Sequence, residues 1–319
     1  MVKKDSGVRS VNTRCQTQSS GKRPWKAKSV GARIGPTARR IELGIELRRM
    51  RNEAGLTLEQ AVKGLGFSEA KLQRVETGNI PLKQAGQLRA LLKRYGVMDE
   101  EHVARLVQLH RESGSQEWTS FANMVHPTTR TFVGVESLAH TIKAWHPTLV
   151  LGLLQTKRYA TGVYEMEKMH DEYTNEFIEQ SVRLRMMRKE LLTRTEDPVQ
   201  LWAILGEAAL RHVVGSADVM REQLVEIAAL SELDNVTVQI LRTHETGYRY
   251  ASDFTVVDLE GGLPSTVQID MPWGTVSMSD KPREVGRFAR RFDSLRAAAT
   301  SPDKTASFLQ QLARELTDA

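Results

Sequence analysis

The side chains with the most specific chemistry lie between Ser68 and Gly78, in the segment SEAKLQRVETG. Its pattern predicts a short helix that Ser68 caps and Gly78 ends, with Leu72 and Val75 on the inward face. Polar side chains of different lengths remain on the outward face. Arginine can bind a guanine edge through two hydrogen bonds, and glutamate can accept one from the cytosine amino group. The segment therefore predicts a helix that fits the DNA major groove.

A second predicted helix precedes this segment. Thr57 and Gln60 have the spacing of a capping box, and the glycines of Gly64-Leu65-Gly66 break the helix that follows. The two segments together predict a helix-turn-helix, although a structural hairpin with a solvated face would show the same pattern. Apolar residues at helical spacing predict three more helices around the same core, at 38–54, 82–95 and 99–112.

This arrangement resembles the lambda-repressor-like, XRE-type DNA-binding domain over residues 37–113, and VETG followed closely by a proline is a specific part of the resemblance. The resemblance implies a five-helix fold in which Glu69, Ala70 and Arg74 face the bases. It also implies that Arg51 and Glu76 form an ion pair within the domain. The full set of predicted DNA-binding residues is Thr57, Ser68, Glu69, Ala70, Lys71, Gln73 and Arg74.

The members of this set have different expected roles. Thr57 and Ser68 lie where helix N-termini meet phosphate, so we expect them to position the protein rather than to read sequence. Lys71 and Gln73 are expected beside the phosphates. Arg74 and Glu69 carry the predicted base readout.

The charge of the chain agrees with a nucleic-acid partner. The 319 residues carry a formal net charge of +6, and the sequence pI is about 9.4. Much of the excess lies in residues 1–36, where Asp5 is the only acid among many lysines and arginines. The low apolar content predicts a disordered tail. Such a tail can follow the DNA backbone, and a solvated extension is the alternative.

Several classes of protein are excluded by the sequence. Cys15 is the only cysteine, so we expect neither a disulfide framework nor a thiolate metal site, and we expect a reducing, cytoplasmic location with the nucleoid. No run approaches the ~18 apolar residues of a membrane span. No phosphate-binding or nucleophile motif has its required strand–turn–helix context. We therefore expect no metal, cofactor or membrane contact.

The remaining chain predicts a second domain. Residues 114–131 are polar and predict a linker, although Trp118 and Phe121 indicate that it packs on a domain or a partner chain. Residues 132–319 mix helical and β patterns, which predicts an α+β domain with a helical layer on a small sheet. The fold class is thus mainly α with an α+β C-terminal domain. Predicted helices include 132–145 and 175–193, and predicted strands are 199–205, 236–242, 254–259 and 266–270.

The runs GLLQTKRYA, RLRMMRKELL, LGEAALRHVVGSADVMREQL and NVTVQIL are similar to those of the actinobacterial WhiJ-like, antitoxin-type XRE regulators. This resemblance covers about 133–299 and implies a C-terminal domain without established chemistry that binds a small partner protein encoded nearby. Two positions depart from the family pattern. Leu151 replaces a usual proline and Asp270 a usual glutamate, and either change can alter a pocket or an interface.

Three roles stay open for the second domain: homodimerisation, partner binding and sensing of a small-molecule effector. Dimerisation together with partner binding is favoured, and ligand sensing stays open; a dimer is expected because one helix-turn-helix covers few base pairs. Polar groups that converge on apolar segments predict a ligand or partner pocket, with hydrogen-bonded structural residues as the alternative. The candidate pocket residues are Gln155, Tyr159, Arg185, Glu207, Arg211 and Asp270.

An enzymatic role is the alternative of a different class. Glu207, Arg211 and His212 place an acid, a cation and a possible base in one short segment. The spacing of Glu207 and Arg211 is also that of an ordinary helix-stabilising ion pair. No convergent catalytic set can be assembled, so we expect no enzymatic activity. The sequence predicts a sequence-specific, homodimeric transcriptional regulator that binds double-stranded DNA.

Overall fold

The computed structural model describes residues 36–78, 80–113, 127–259, 264–271 and 276–316. The predicted tail up to residue 35, with Cys15, lies outside this part of the chain, as does most of the predicted linker. The fold described below concerns these residues.

Five helices form the N-terminal domain, as predicted. Their boundaries follow the capping and glycine signals of the sequence, and the fourth begins three residues later than predicted because its N-cap is Gln84. The core is apolar and includes Leu47, Leu72 and Leu88, which are fully buried. The helices are α1 Pro36–Glu53, α2 Leu58–Val62, α3 Glu69–Glu76, α4 Ala85–Arg94 and α5 Glu100–Glu112.

Close approach of α1 and α3 depends on two glycines. A Cβ on Gly44 would lie 2.4 Å from the carbonyl oxygen of Val75, so only glycine lets the two backbones meet here. Gly78 ends α3 with φ of +69°, a conformation that glycine adopts without strain. Its carbonyl oxygen accepts a hydrogen bond from Nε of Arg40 at 2.6 Å. The orientation of α3 is therefore fixed from both α1 and its own C-terminus.

The C-terminal domain is built on one mixed sheet of six strands in the order β3-β2-β1-β4-β5-β6. β1, β2 and β3 are parallel, whereas β4, β5 and β6 continue as an antiparallel meander on the other side of β1. The elements are α6 Pro127–Ser137, β1 Ala139–His146, α7 Lys157–Glu167, α8 Asn175–Lys189, β2 Gln200–Gly206, α9 Glu207–Arg211, α10 Ala217–Leu230, β3 Val236–Leu241, β4 Phe254–Leu259, β5 Thr266–Asp270, β6 Val276–Ser279, α11 Pro282–Ala298 and α12 Thr305–Glu315.

Both faces of the sheet are covered by helices. One face packs against α6, α8, α10 and α12, through residues such as Phe132, Leu224 and Leu309. The opposite face carries Trp145 and Phe254 and packs against Phe288 and Phe292 of α11. The predicted α+β class is confirmed, and α11 adds a second layer to the single helical layer that the sequence predicted.

The prediction of one helix over 132–145 was wrong. α6 ends at Ser137, and β1 occupies 139–146. β1 is a central strand with buried residues on both faces: Ala144 and Trp145 are both buried although they point to opposite sides. A strand of this kind lacks the polar alternation by which exposed strands are recognised. α6 itself begins at Pro127, so the last residues of the predicted linker belong to it.

A shared apolar contact joins the two domains. Ile41 of α1 belongs to the same buried cluster as Phe132 and Val133 of α6, and Ile45 packs on its edge. Arg48 of α1 forms an ion pair with Asp280, which follows β6. α1 therefore contributes one side to the helix-turn-helix core and another side to the C-terminal domain.

Candidate functional site

The two caps of the helix-turn-helix have the predicted geometry. The Thr57 hydroxyl accepts the Gln60 N–H at 3.2 Å, and the Gln60 side chain accepts the Thr57 N–H at 2.8 Å. The Ser68 hydroxyl accepts the Lys71 N–H at 3.2 Å. Both N-termini lie at the surface, where the remaining backbone N–H groups can meet a phosphate. These contacts fix where α2 and α3 begin.

The outward face of α3 carries four exposed side chains. Leu72 and Val75 fill the core from its inward face. No described residue pairs with the guanidinium of Arg74, so its five N–H donors stay available to an external acceptor. The four exposed residues are Glu69, Ala70, Gln73 and Arg74.

Lys71 differs from these four because it is half-buried. Its ammonium lies 5.2 Å from the centre of the Phe67 ring and 3.5 Å from Oε1 of Gln87 in α4. Lys71 is thereby directed toward the start of α4 rather than outward from α3. Gln87 joins the candidate interface through this contact, which no local sequence signal indicates because the two residues belong to different helices.

The predicted ion pair between α1 and α3 is present. Arg51 donates two hydrogen bonds to the Glu76 carboxylate, at 2.7 and 2.9 Å, and a third to the Leu56 carbonyl oxygen at 2.9 Å. The hydrogen bond to Glu76 raises the pKa of Arg51. Both side chains are almost fully buried, so this pair holds α3 in place and leaves DNA contact to the exposed residues.

Five of the six candidate pocket residues fall into two separate networks. In the first, Gln155 donates to the Val150 carbonyl oxygen at 2.6 Å and accepts from Arg185 at 2.6 Å. The Tyr159 hydroxyl accepts the Val150 N–H at 3.3 Å. Arg185 also donates to the Tyr164 hydroxyl at 3.0 Å. Gln155 and Tyr159 are thus structural ties of the turn after β1, while Arg185 stays half-exposed.

The second network follows β2. Glu207 accepts from Arg211 at 2.7 Å and from the Thr243 N–H at 2.9 Å, and Arg211 reaches Glu315 at 3.1 Å. Burial opposes ionisation of Glu207, but the Thr243 N–H and Arg211 outweigh it and hold its pKa below the usual value. Such an ionised, paired carboxylate is a stabilising anchor. It ties α9 to the chain after β3 and to α12.

Asp270 belongs to neither network and lies in a polar patch that the sequence did not predict. The register of the sheet, continued beyond the pairs Trp145–Phe254 and Thr255–Gln268, places His146 of β1, Asp253 just before β4 and Asp270 of β5 side by side. The two rows behind them on the same face contain Thr255 with Gln268, and Thr266. We call these six residues the polar patch. Their sequence separation explains why no motif revealed them.

Ionisation within the polar patch is perturbed. Burial, followed by the charge of Asp270, raises the pKa of Asp253 to about 6, and the two carboxyl groups share a hydrogen bond. Burial lowers the pKa of His146 to about 4, against the opposing attraction of Asp270. His146 is therefore neutral near pH 7. Perturbed groups of this kind are often found at functional sites.

Two helices place further charges beside the polar patch. Arg188 of α8 donates to both carboxylate oxygens of Glu136 in α6, at 2.6 and 2.9 Å, and its guanidinium lies 5.3 Å from the Phe132 ring centre.

Within the described chain, no three acidic, histidine or cysteine side chains are grouped closely enough to hold a metal ion. None of the described helices has the length and apolar character needed to cross a membrane.

Comparison with protein families identifies two matches in this chain. Residues 42–106 match a helix-turn-helix domain, and residues 129–311 match a domain of unknown function, DUF5753. No curated protein and no solved structure matches the chain. The first match coincides with α1–α5 and indicates a DNA-binding regulator of transcription. The second covers more than half of the 319 residues, so the chain belongs to the DUF5753 family.

Proposed function

We propose that the protein is a sequence-specific regulator of the XRE type that reads DNA with the exposed face of α3. The observation that supports this most strongly is the free guanidinium of Arg74, beside Glu69 and Gln73, on a helix that Gly44, Gly78 and the Arg51–Glu76 pair hold rigidly. A rigid helix presenting unpaired donors and acceptors matches the requirements for reading base edges.

Selection of bound duplexes from the native genome tests this function. Purified full-length protein is incubated with genomic fragments, and the recovered sequence is then titrated with protein over a range of salt concentrations. We expect a short enriched site whose binding exceeds that of random duplex by at least about 10³-fold. Binding that depends on salt alone, with no enriched sequence, would contradict the proposal.

We propose that the regulator acts as a homodimer. One α3 covers only a few base pairs, whereas two copies read half-sites one helical turn apart. The recovered site should then be an inverted repeat. Sedimentation of the complex should show two copies of the 35.9 kDa chain bound to each site. A monomer bound to a single half-site would contradict the dimer while leaving base reading intact.

The C-terminal domain is proposed to supply the dimer contact and to bind a small partner protein encoded nearby, in the manner of the WhiJ-like regulators. An antitoxin-type function is the alternative: the chain would then bind the partner and also neutralise its toxicity. Co-expression with the small neighbouring open reading frame tests both. Co-purification supports partner binding, and relief of growth inhibition is needed for the antitoxin form.

The basic tail is proposed to add affinity without specificity, in the cytoplasm where the DNA lies. Removing residues 1–35 should weaken binding to specific and random duplex alike and flatten the salt dependence, because each lost phosphate contact removes about 0.9 from the slope. Equal affinity for random duplex before and after removal would show that the tail has no part in binding.

Effector sensing is a second candidate, favoured by the position of α6. This helix carries Glu136 and Phe132 next to Arg188, close to the polar patch, and the same helix packs against Ile41 of α1. A change at the polar patch therefore has a direct physical path to the DNA-binding domain. Hydrogen exchange tests this path: Asp270→Asn should change protection in α6 and α1 but not in α4, and unchanged protection in α1 would reject it.

No catalytic role is proposed for Glu207, Arg211 and His212. Their proposed role is stabilising, because Glu207 and Arg211 form an ion pair that links three segments of the chain.

A further inference from the structure

The polar patch contains two buried polar atoms that lack a hydrogen-bond partner in the described part of the chain. Gln268 and Thr266 are both 7% exposed, yet among the described residues neither Oε1 of Gln268 nor the Thr266 hydroxyl has a hydrogen-bond partner. A buried polar atom without a partner is costly, so native proteins seldom leave two neighbouring ones unsatisfied. A bound molecule that supplies a hydrogen bond to one of these atoms would remove part of this cost.

The head group of Gln268 shows where such a group would lie. Its Nε2 donates to Oδ1 of Asp270 at 2.5 Å. The unpartnered Oε1 belongs to the same amide and is therefore at the Asp253–Asp270 carboxyl pair. Three acceptor groups thus lie together near the C-terminal end of β5. Asp270 is exposed and Asp253 is half-buried, so a ligand can reach the carboxyl pair from solvent, with the buried Oε1 of Gln268 behind it.

The nearby charges favour a cation at this point. Arg188 is neutralised by Glu136, and the guanidinium of Arg185 is held by Gln155 and Tyr164. His146 is neutral near pH 7. The negative charges of the two carboxylates therefore repel each other, and an added positive donor would relieve this repulsion. The described side chains do not have the grouping that a metal ion needs, which leaves a molecular cation.

The topology of the sheet independently marks the same place. The chain leaves β1 toward β2 and β3 on one side and returns to β4 on the other, so the connections diverge beyond His146. In open sheets with parallel strands, ligands bind at such switch points, outside the carboxyl ends of the strands. The Asp253–Asp270 pair lies directly at this switch point.

We propose that the polar patch binds a small organic molecule through a protonated primary amine, which donates hydrogen bonds to Asp253, Asp270 and Oε1 of Gln268. The site deepens the sensing role proposed above by giving its location and ligand class. Binding itself involves no DNA, so its failure would leave the DNA-binding function untouched.

The test is a nuclear magnetic resonance titration of the full-length protein with ethylamine. The chain has eight histidines, and carbon-13 labelling of their rings gives one signal for His146, assigned with His146→Gln. Because His146 stands next to Asp253, its ring should respond to an amine at the pair. Ethylamine has few atoms, so we expect a dissociation constant on the order of millimolar at best.

Two comparisons separate specific binding from a general ionic effect. Tetramethylammonium carries the same charge without an N–H donor, and acetate carries the opposite charge. Only ethylamine should produce a saturable shift of the His146 signal. An equal response to tetramethylammonium would overturn the proposal. So would the absence of a saturable response at ethylamine concentrations up to about a hundred times the expected dissociation constant.

The pH dependence provides a second signature. The amine binds best when Asp253 is ionised. The other charged or titratable groups around it are Asp270, Arg185, Arg188, Glu136 and the neutral His146. With the pKa of Asp253 at about 6, affinity should rise roughly tenfold from pH 5 to pH 7. Affinity that is constant over this range would exclude the carboxyl pair as the amine site.

Variants complete the test. Gln268→Met keeps the side-chain length and removes the unpartnered acceptor, so the protein should fold at least as well and lose the ethylamine response. Asp258→Asn removes a carboxylate from the opposite face of β4 and should retain the response. If Gln268→Met fails to fold, Asp270→Asn takes its place. Undiminished binding in the folded variant contradicts the proposal.

Discussion

In the helix-turn-helix domain the side chains expected to contact a partner stand on one exposed helix, whereas in the C-terminal domain the comparable groups lie on a largely buried sheet face. Arg74 and its neighbours come from six consecutive residues. The polar patch combines residues from β1, β4 and β5, separated by more than a hundred positions. The first site can be recognised from local sequence, while the second exists only after folding.

Each domain nevertheless contains one buried ion pair at a helix contact. Arg51–Glu76 joins α1 to α3, and Arg188–Glu136 joins α8 to α6. Burial disfavours the charge of Arg188, but Glu136 keeps its pKa above the usual value. Both arginines therefore keep their charge, and both pairs position a helix that borders a candidate site.

The largest predicted effect is the loss of either buried pair. Glu76→Gln and Glu136→Gln each leave a buried guanidinium without its counter-charge, which should lower the free energy of unfolding by about 3–5 kcal/mol. Urea denaturation of the full chain measures this loss. The control is Glu53→Gln, which removes an exposed partner of Arg49 and should cost less than about 1 kcal/mol. If replacing the glutamate of a buried pair lowers the free energy of unfolding no more than Glu53→Gln does, the ion pair is not needed for the stability of that domain.

The next effect concerns the close contact of α1 with α3. Gly44→Ala would raise helix propensity, yet its Cβ would collide with the Val75 carbonyl, so we expect a net loss of about 1–3 kcal/mol in unfolding free energy and weaker DNA binding. Gly86 in α4 has open space around it, and Gly86→Ala should stabilise the protein by about 0.5–1 kcal/mol. Stabilisation by both substitutions would show that α3 is not held by this contact.

Gly206→Ala extends the same comparison to the other domain. Its Cβ would lie 2.4 Å from the Pro147 carbonyl oxygen, so stability should fall by a similar amount of about 1–3 kcal/mol. Because this site is remote from α3, affinity for random duplex should stay unchanged. Equal loss of DNA affinity in Gly206→Ala and Gly44→Ala would mean that the domains do not act separately.

The smallest effect is a pH dependence confined to the C-terminal domain. The raised pKa of Asp253 means that the folded state holds a proton which the unfolded state has already lost, so this group reduces stability as the pH rises from about 4 through 6. Asp253→Asn should therefore stabilise the protein by about 1–2 kcal/mol at pH 7, after allowance for solvent screening, and by nothing near pH 4.

Glu207 should show the opposite sign. Its pKa is lowered, so it contributes stability above its usual range and loses that contribution as the pH falls. Glu207→Gln should be destabilising at pH 7 and approach the wild type in acid. Thermal unfolding of both variants from pH 4 to 7, with Asp258→Asn as control, gives the two slopes. Slopes of the same sign would contradict the assigned charge states.

Local signals made the first domain predictable. Thr57, Gln60, Ser68 and Gly78 mark helix ends by chemistry that acts within a few residues, so five helices and their exposed face could be derived before the structure was known. The ion pair of Arg51 and Glu76 came from a family resemblance instead. The contact of Lys71 with Gln87 could not be derived, since it depends on how α3 and α4 pack.

The second domain was predictable in class and in most strands but not in its central element or its polar patch. β1 has buried residues on both faces, so its apolar residues do not alternate strictly with polar ones and could be taken for the continuation of α6. The six candidate pocket residues were predicted as one set, but Gln155, Tyr159 and Arg185 lie around one turn, whereas Glu207 and Arg211 belong to another network. Asp270 was singled out, but its neighbours His146, Asp253 and Gln268 depend on strand register.

The most direct test of the central claim is the affinity of Arg74→Ala for the site recovered from the genome, compared with Arg111→Ala. Arg111 is also exposed but lies near the end of α5, away from the face of α3. Arg74→Ala should lose about 1–3 kcal/mol of binding free energy and relax the base preference at one position, while Arg111→Ala should bind as the wild type does. Equal affinity and unchanged specificity in the two variants would contradict base reading by α3.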